Sequence, residues 1–229
     1  MKKLLTLSFM LVLLITSNLF CQNEEKAKRP ADPSQALEAI SMAKSIALIG
    51  YETQNPLYLI NAAQLLIDNP TSVFQFETET EANPADLSVK TVLMKDFNAK
   101  NLLNDAKLFT KGDDQMLQLI EKMEKNANAS ISRGAVGGAK SVNRTVDGEA
   151  TNMYEVNFIE GELAEILVVG DGDTDLDLYV FDSLENLIEQ DDDYTDRCYV
   201  SWVPKWTGKY IIVIKNLGPV YNNFTLMTN

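Results

Sequence analysis

Apolar residues recur at helical spacing through the first half of the chain and at alternate positions through its last third. Ala36, Ile40, Ala43 and Ala47, widened by Leu37 and Ile46, mark one face of a helix. Asp32 ahead of Pro33 supplies a cap and a first-turn proline for it, and Gly50 with the polar turn through Asn55 ends it. Leu59, Ile60, Ala63, Leu66 and Ile67 predict a second helix from Pro56 to Asn69-Pro70. Two further helices are expected, Ala99 to Phe109 around Leu102, Leu103 and Ala106, and Asp113 to Lys125 around Leu117, Ile120 and Met123. The stretch between the two pairs, 71–94, has no clear period and reads as a long connection. Four short amphipathic helices imply a small bundle.

After Asp147 the period changes to two. Tyr154, Val156 and Phe158 alternate with polar residues, as do Leu176, Leu178 and Val180. Ile166 to Val169 is apolar at every position. Further short runs at Cys198–Val203, Tyr210–Ile214 and Tyr221–Met227, separated by Gly, Asn and Asp, predict a β-sandwich or jelly roll. The fold class expected is therefore α+β, with an N-terminal helical bundle followed by a C-terminal antiparallel sandwich. The boundaries are a leader over 1–21, a polar lead-in over 22–32, a helical domain over 33–130, a Gly-rich linker over 131–145, and the sandwich over 146–229.

The leader rests on Lys2 and Lys3 followed by an apolar run from Leu4 to Ile15, the form of a secretory signal. That run falls short of the about 20 residues a membrane span needs, and no later segment is apolar enough to cross a bilayer. Export to the periplasm or beyond follows. Cleavage after Cys21 suits the small cysteine. Lipidation of Cys21, which would tether the protein to the outer membrane, is the alternative, against which stands Phe20 where lipoprotein signals want a small residue. With Cys21 removed or lipidated, Cys198 stands alone and reads as a small buried hydrophobe.

Composition narrows the chemistry. Twenty Lys and Arg against 33 Asp and Glu give a formal charge of −13, which disfavours nucleic acid as a partner. There is no histidine, so His-based triads are excluded and most zinc sites with them. Ser41 and Lys44 match the Ser-x-x-Lys of penicillin-recognising enzymes, but the companion motifs are missing and the stretch is a plain amphipathic helix. Paired carboxylates of a hydrolase are not singled out by any spacing. A non-enzyme is expected, with no catalytic residue.

The best chemical signal is acidic. Asp171, Asp173, Asp175 and Asp177 occupy alternate positions, and Asp191, Asp192, Asp193 and Asp196 form a second group. Calcium takes six to eight oxygen ligands, commonly carboxylates, so Asp171, Asp173, Asp175, Asp177, Asp191 and Asp193 are candidate ligands for a calcium ion, the one cofactor considered. An EF-hand is rejected, because Leu176 stands where that loop requires glycine. Strand alternation turns Leu176 and Leu178 inward and Asp175 and Asp177 outward, so the plain alternative is a solvated acidic edge. Tyr179, Tyr194, Trp202 and Trp206 are candidates for an aromatic ligand platform, against ordinary packing in the sandwich.

Three segments carry a family resemblance. Asp173-Thr174-Asp175-Leu176-Asp177-Leu178-Tyr179-Val180-Phe181-Asp182 resembles the signature strand of the bacterial pre-peptidase C-terminal domain family. Trp206-Thr207-Gly208-Lys209-Tyr210-Ile211-Ile212-Val213 resembles its Gly-x-Tyr strand, and Tyr221-Asn222-Asn223-Phe224-Thr225-Leu226 its closing strand. The resemblance covers about Val146 to Asn229. It implies a compact sandwich appended to secreted bacterial proteins, itself non-catalytic, with relatives that bind calcium or extracellular polymers. No peptidase domain precedes the module here, and Arg197 to Trp206 is unusually aromatic. The sequence thus predicts an exported binding protein whose partner is an extracellular or envelope protein or glycan. A secretion or folding accessory is the alternative, and a carboxylate-dependent hydrolase the third reading.

Overall fold

Helical and alternating patterns resolve, in a computed structural model, into four helices and ten strands among the described residues, which are 32–74, 76, 78–80, 97–131 and 138–229. The expected leader, Cys21 and most of the lead-in lie outside them, as do the linker residues 132–137. The helices are α1 (Gln35–Thr53), α2 (Pro56–Asp68), α3 (Ala99–Phe109) and α4 (Asp114–Ile131). Between α2 and α3 lie β1 (Ser72–Val73) and β2 (Thr78–Thr80). The remaining strands are β3 (Lys140–Val146), β4 (Thr151–Phe158), β5 (Ala164–Val169), β6 (Leu176–Asp182), β7 (Leu187–Asp191), β8 (Arg197–Trp202), β9 (Gly208–Asn216) and β10 (Asn222–Thr228).

Side-chain caps set three of the helix starts. Asn55 accepts the Leu57 N–H with Pro56 at the first helical position, Asn98 accepts the Asn101 N–H, and Asp113 accepts those of Gln115 and Met116. The first helix differs from expectation. It begins at Gln35, and its N-terminal anchor is the Ser34 N–H donating to Glu165 Oε1 at 2.9 Å, a contact with β5 that no local pattern encodes. The fourth helix runs six residues past Lys125.

Two five-stranded sheets face each other, in the orders β1-β3-β10-β5-β8 and β2-β4-β9-β6-β7. Adjacent pairs are antiparallel except β1 with β3. Two expectations are corrected here. The connection 71–94 contributes an edge strand to each sheet, and the expected linker already contains most of β3. Inward residues from both sheets, among them Tyr154, Ile166, Leu178, Val200, Trp202, Ile212 and Leu226, make the sandwich core.

The outer face of the first sheet is covered. Leu37 and Ile40 of α1 pack on Leu167 of β5 and Met227 of β10, which point away from the sandwich interior. This accounts for the unbroken apolar run in β5, whose two faces are both buried. A neighbouring side of α1, with Ala43 and Ala47, joins Leu59, Ile60, Leu102, Leu103, Ala106 and Ile120 in a separate helical core. Gly50 lets α2 approach, since a Cβ there would lie 2.7 Å from Leu59 Cδ2. Polar contacts reinforce the helix–sheet seam: Lys44 Nζ donates to the Val169 carbonyl at 2.6 Å, and Arg197 reaches Ser41 Oγ and Glu38. Helices and sandwich form one compact unit, Ala31–Asn229. Among the described residues no helix is long and apolar enough to cross a membrane.

Candidate functional site

The β5–β6 loop, the β7–β8 loop and the start of β10 meet at one end of the sandwich, and every aspartate of the sequence-based acidic set lies at or near that end. The loops are fastened to one another by their own polar groups. Asp171 Oδ2 accepts both the backbone N–H and the side-chain amide of Asn223, at 3.1 and 2.8 Å. The Gly172 N–H donates to Asp196 Oδ2, and the Gly170 N–H to the Asp196 carbonyl. Gly170 has no room for a side chain, because a Cβ would sit 2.2 Å from Asp196 Oδ2. Asn222 donates to Thr174 Oγ1 at 3.0 Å.

The six candidate ligands are brought to one region but given different tasks. Asp191 Oδ2 accepts the Tyr199 N–H at 2.7 Å, and Asp193 Oδ1 accepts the N–H and hydroxyl of Thr195. Asp173 is exposed. Asp177 lies on the outer side of its sheet, as alternation requires, yet it is only 5 % exposed and accepts the Tyr179 hydroxyl at 3.0 Å. The expected solvated position is corrected on that point. Burial, helped by that carboxylate, pushes the Tyr179 phenol up to about 12.

Asp175 stands apart. It is half-buried, and its Oδ1 is shut from solvent with no hydrogen-bond partner among the described residues. Its carboxyl is held above the usual range by desolvation first and then by the charges of Asp177, Asp193 and Asp196. Among the described residues no group of three or more His, Cys, Asp or Glu side chains is arranged to hold a metal ion. The carboxylates concentrate negative potential without forming a closed oxygen cage.

The aromatic platform does not assemble. Trp202 is buried in the sandwich core, edge-on to Phe158 with ring centroids 4.8 Å apart, and so is removed from the ligand-facing set. Trp206 stacks on Tyr210 at 5.9 Å and 15°, in the loop that follows β8. Tyr194 is 96 % exposed in the loop that precedes β8, at the other end of the sandwich. Tyr179 lies on the outer face of the second sheet beside Phe181. Of the four, Tyr194 stands exposed among the aspartates, while Tyr179 meets them only through its hydroxyl on Asp177. Asn222, Asn223 and Asp196, which shape the acidic end, were not among the candidates. The two asparagines carry no charge and sit in a strand, so nothing in residue type marks them.

No protein-family model and no curated protein matches the chain. Among solved structures, the chain is similar to the pre-peptidase C-terminal domain of collagenase from Bacillus anthracis, at 13% identity over 39% of this chain and 88% of that one, TM-score 0.33. It is similar as well to PliG of Aeromonas hydrophila, a periplasmic inhibitor of g-type lysozyme, at 15% identity over 40% and 84%, TM-score 0.32. A carbohydrate-binding module from Cellvibrio mixtus lichenase 5A, solved with cellotriose, matches at 17% identity over 42% and 80%, TM-score 0.25.

Proposed function

We propose that this chain is an exported, non-catalytic binding protein that engages a cationic group of an extracellular or envelope partner through the acidic end of its sandwich. The observation that carries this reading is Asp175, whose desolvated Oδ1 has no hydrogen-bond partner among the described residues and sits within a group of four carboxylates. A positive charge delivered there relieves both the missing hydrogen bond and the mutual repulsion. A lysine or arginine on a partner protein fits, since it brings its own donors to a preformed acidic surface. Tyr194, exposed beside the aspartates, supplies an aromatic contact of the kind enriched at interface hot spots.

Calcium belongs to this reading as the alternative cation, although the carboxylates as arranged do not form its usual shell. Export rests on the leader-like N-terminus of the sequence and no catalytic step is invoked. Thermal unfolding of the full chain with millimolar calcium and with a chelator separates the two cations. A ligand held only by the folded state stabilises it by about 2.7 kcal/mol at a hundred times its dissociation constant. A calcium-dependent rise would make the aspartates a metal site. No rise, together with salt-sensitive capture of a basic envelope protein that Asp175→Asn weakens, would establish the protein-binding form. Capture indifferent to Asp175→Asn and to salt would overturn the proposal.

A further inference from the structure

We infer that the cleft between the sheets at the opposite end of the sandwich binds a small uncharged amphiphile, with an apolar body of about one ring and one hydrogen-bonding group held at Thr228 Oγ1. The cleft has a volume of about 280 Å3. Its floor is made by Phe74, Val156, Ala164, Pro204 and Thr228, all buried. Exposed residues, Lys140 and Asn229 among them, stand at its rim.

Thr228 is the feature that points to a ligand. On β10 it shares the parity of Phe224 and Leu226, so its side chain enters the space between the sheets rather than the seam under α1. It is 1 % exposed, and its hydroxyl has no hydrogen-bond partner among the described residues. A buried hydroxyl left unmade costs its full desolvation. Valine has the same shape, suits a strand equally well and would carry no such cost. A water would want two to four polar partners, and Thr228 is the one polar side chain on that floor. A ligand carrying a hydroxyl or carbonyl on an apolar body satisfies the hydroxyl and covers Phe74, Val156 and Ala164 together. Charge on the ligand is disfavoured, because the floor offers nothing to pair with it. Size is adequate: a closed apolar cavity of about 150 Å3 accepts benzene.

The site lies at the other end of β8 and β10 from the aspartates and does not depend on them. The test uses benzyl alcohol and toluene as probes on the full chain, followed by amide chemical shifts. Saturable shifts at Val156, Ala164 and Thr228 with benzyl alcohol are expected, and tighter binding of benzyl alcohol than of toluene. Thr228→Val should weaken benzyl alcohol about fivefold to tenfold, the worth of one ordinary hydrogen bond, and leave toluene unchanged or tighter. Ala164→Leu, which fills the floor, should abolish both; should it fail to fold, the shift map and the Thr228→Val comparison decide. No saturable shift at those amides with either probe would overturn the inference. So would a Thr228→Val variant that binds benzyl alcohol like the parent, or a folded Ala164→Leu variant that still binds.

Discussion

Lys44 Nζ lies 2.6 Å from the carbonyl oxygen of Val169, so a lysine that is 2 % exposed fastens a helix to the rim of a sheet 125 residues later in the chain. The same ammonium donates to the Asn223 carbonyl at 3.3 Å. Ser41, its partner in the fortuitous Ser-x-x-Lys match, is buried one turn earlier and accepts from Arg197. Both residues therefore serve the seam between α1 and the first sheet. That seam makes helices and sandwich interdependent, because Leu167 and Met227 would otherwise expose an apolar sheet face.

The seam should respond unequally to its parts. Lys44→Ala removes charge-assisted hydrogen bonds and a buried stem, with an expected loss of about 2–3 kcal/mol. Lys44→Met keeps most of the volume and should lose less. Arg197→Ala breaks a pair with Glu38 in which both side chains are about two-fifths exposed, and should cost less than about 1 kcal/mol. Urea unfolding measures all three. An Arg197 effect as large as that of Lys44 would contradict the ranking.

Two of the four aromatic candidates, Trp202 and Tyr194, should part company. Trp202→Ala empties a site in the sandwich core and is expected to destabilise by about 3–5 kcal/mol. Tyr194→Ala removes a side chain that is 96 % exposed, so stability should stay within about 0.5 kcal/mol while partner capture falls. Thermal unfolding and pull-down from envelope extracts, run on both variants, check the split.

Much of this fold could be read before any coordinates. The change from a period near four to a period of two places helices before strands, and the run Ile166 to Val169 is apolar at every position. That α1 covers this run was not legible, since Lys44 and Ser41 look like ordinary polar positions of an amphipathic helix. Strands of two and three residues, β1 and β2, are too short to show alternation. Most of β3 reads as linker because it follows the Gly- and Ala-rich run 134–139 and because Lys140 and Arg144 share the side of Val142 and Val146, which breaks the alternation.

The acidic end was legible as a cluster, because alternate aspartates and a second acidic run mark two loops. How those aspartates are used was not. Asp171 is occupied by Asn223, and Asp191 by the Tyr199 N–H, both set by which loops meet. The position of Trp202 could have been inferred. It shares parity with Cys198 and Val200, both of which face the core. Thr228 shares parity with Phe224 and Leu226 in the same way.

Cys198 is expected to be chemically silent in the folded protein. Its thiol is buried, donates to the Leu176 carbonyl at 3.0 Å, and is pushed well above its ordinary pKa by burial and then by Asp191 and its acidic neighbours. In a chain carrying Cys21→Ser, a disulfide reagent at neutral pH should label it only as fast as the protein unfolds. Rapid labelling under native conditions would show that the end of the sandwich near β8 opens on its own.

Two aspartates of β6 and its approach should give opposite pH signatures. Asp182 accepts the N–H groups of Leu184 and Asn186 and the Asn186 amide, and these bonds hold its carboxyl below the usual range. A lowered folded-state pKa stabilises the protein at neutral pH, and that contribution is lost as pH falls through it. Asp182→Asn should therefore be less stable than the parent at neutral pH and approach it in strong acid. Asp175 is raised by desolvation and by Asp177, Asp193 and Asp196, so its ionisation opposes folding. That cost is present at neutral pH and disappears as pH falls through the raised value and the ordinary one near 3.8. Asp175→Asn should thus be more stable than the parent at neutral pH, with the advantage vanishing in acid. Urea midpoints of both variants between neutrality and acid decide it. A destabilised Asp175→Asn at neutral pH would mean that the carboxylate already holds a cation in the folded protein, and a repeat in chelator would then identify whether that cation is a metal.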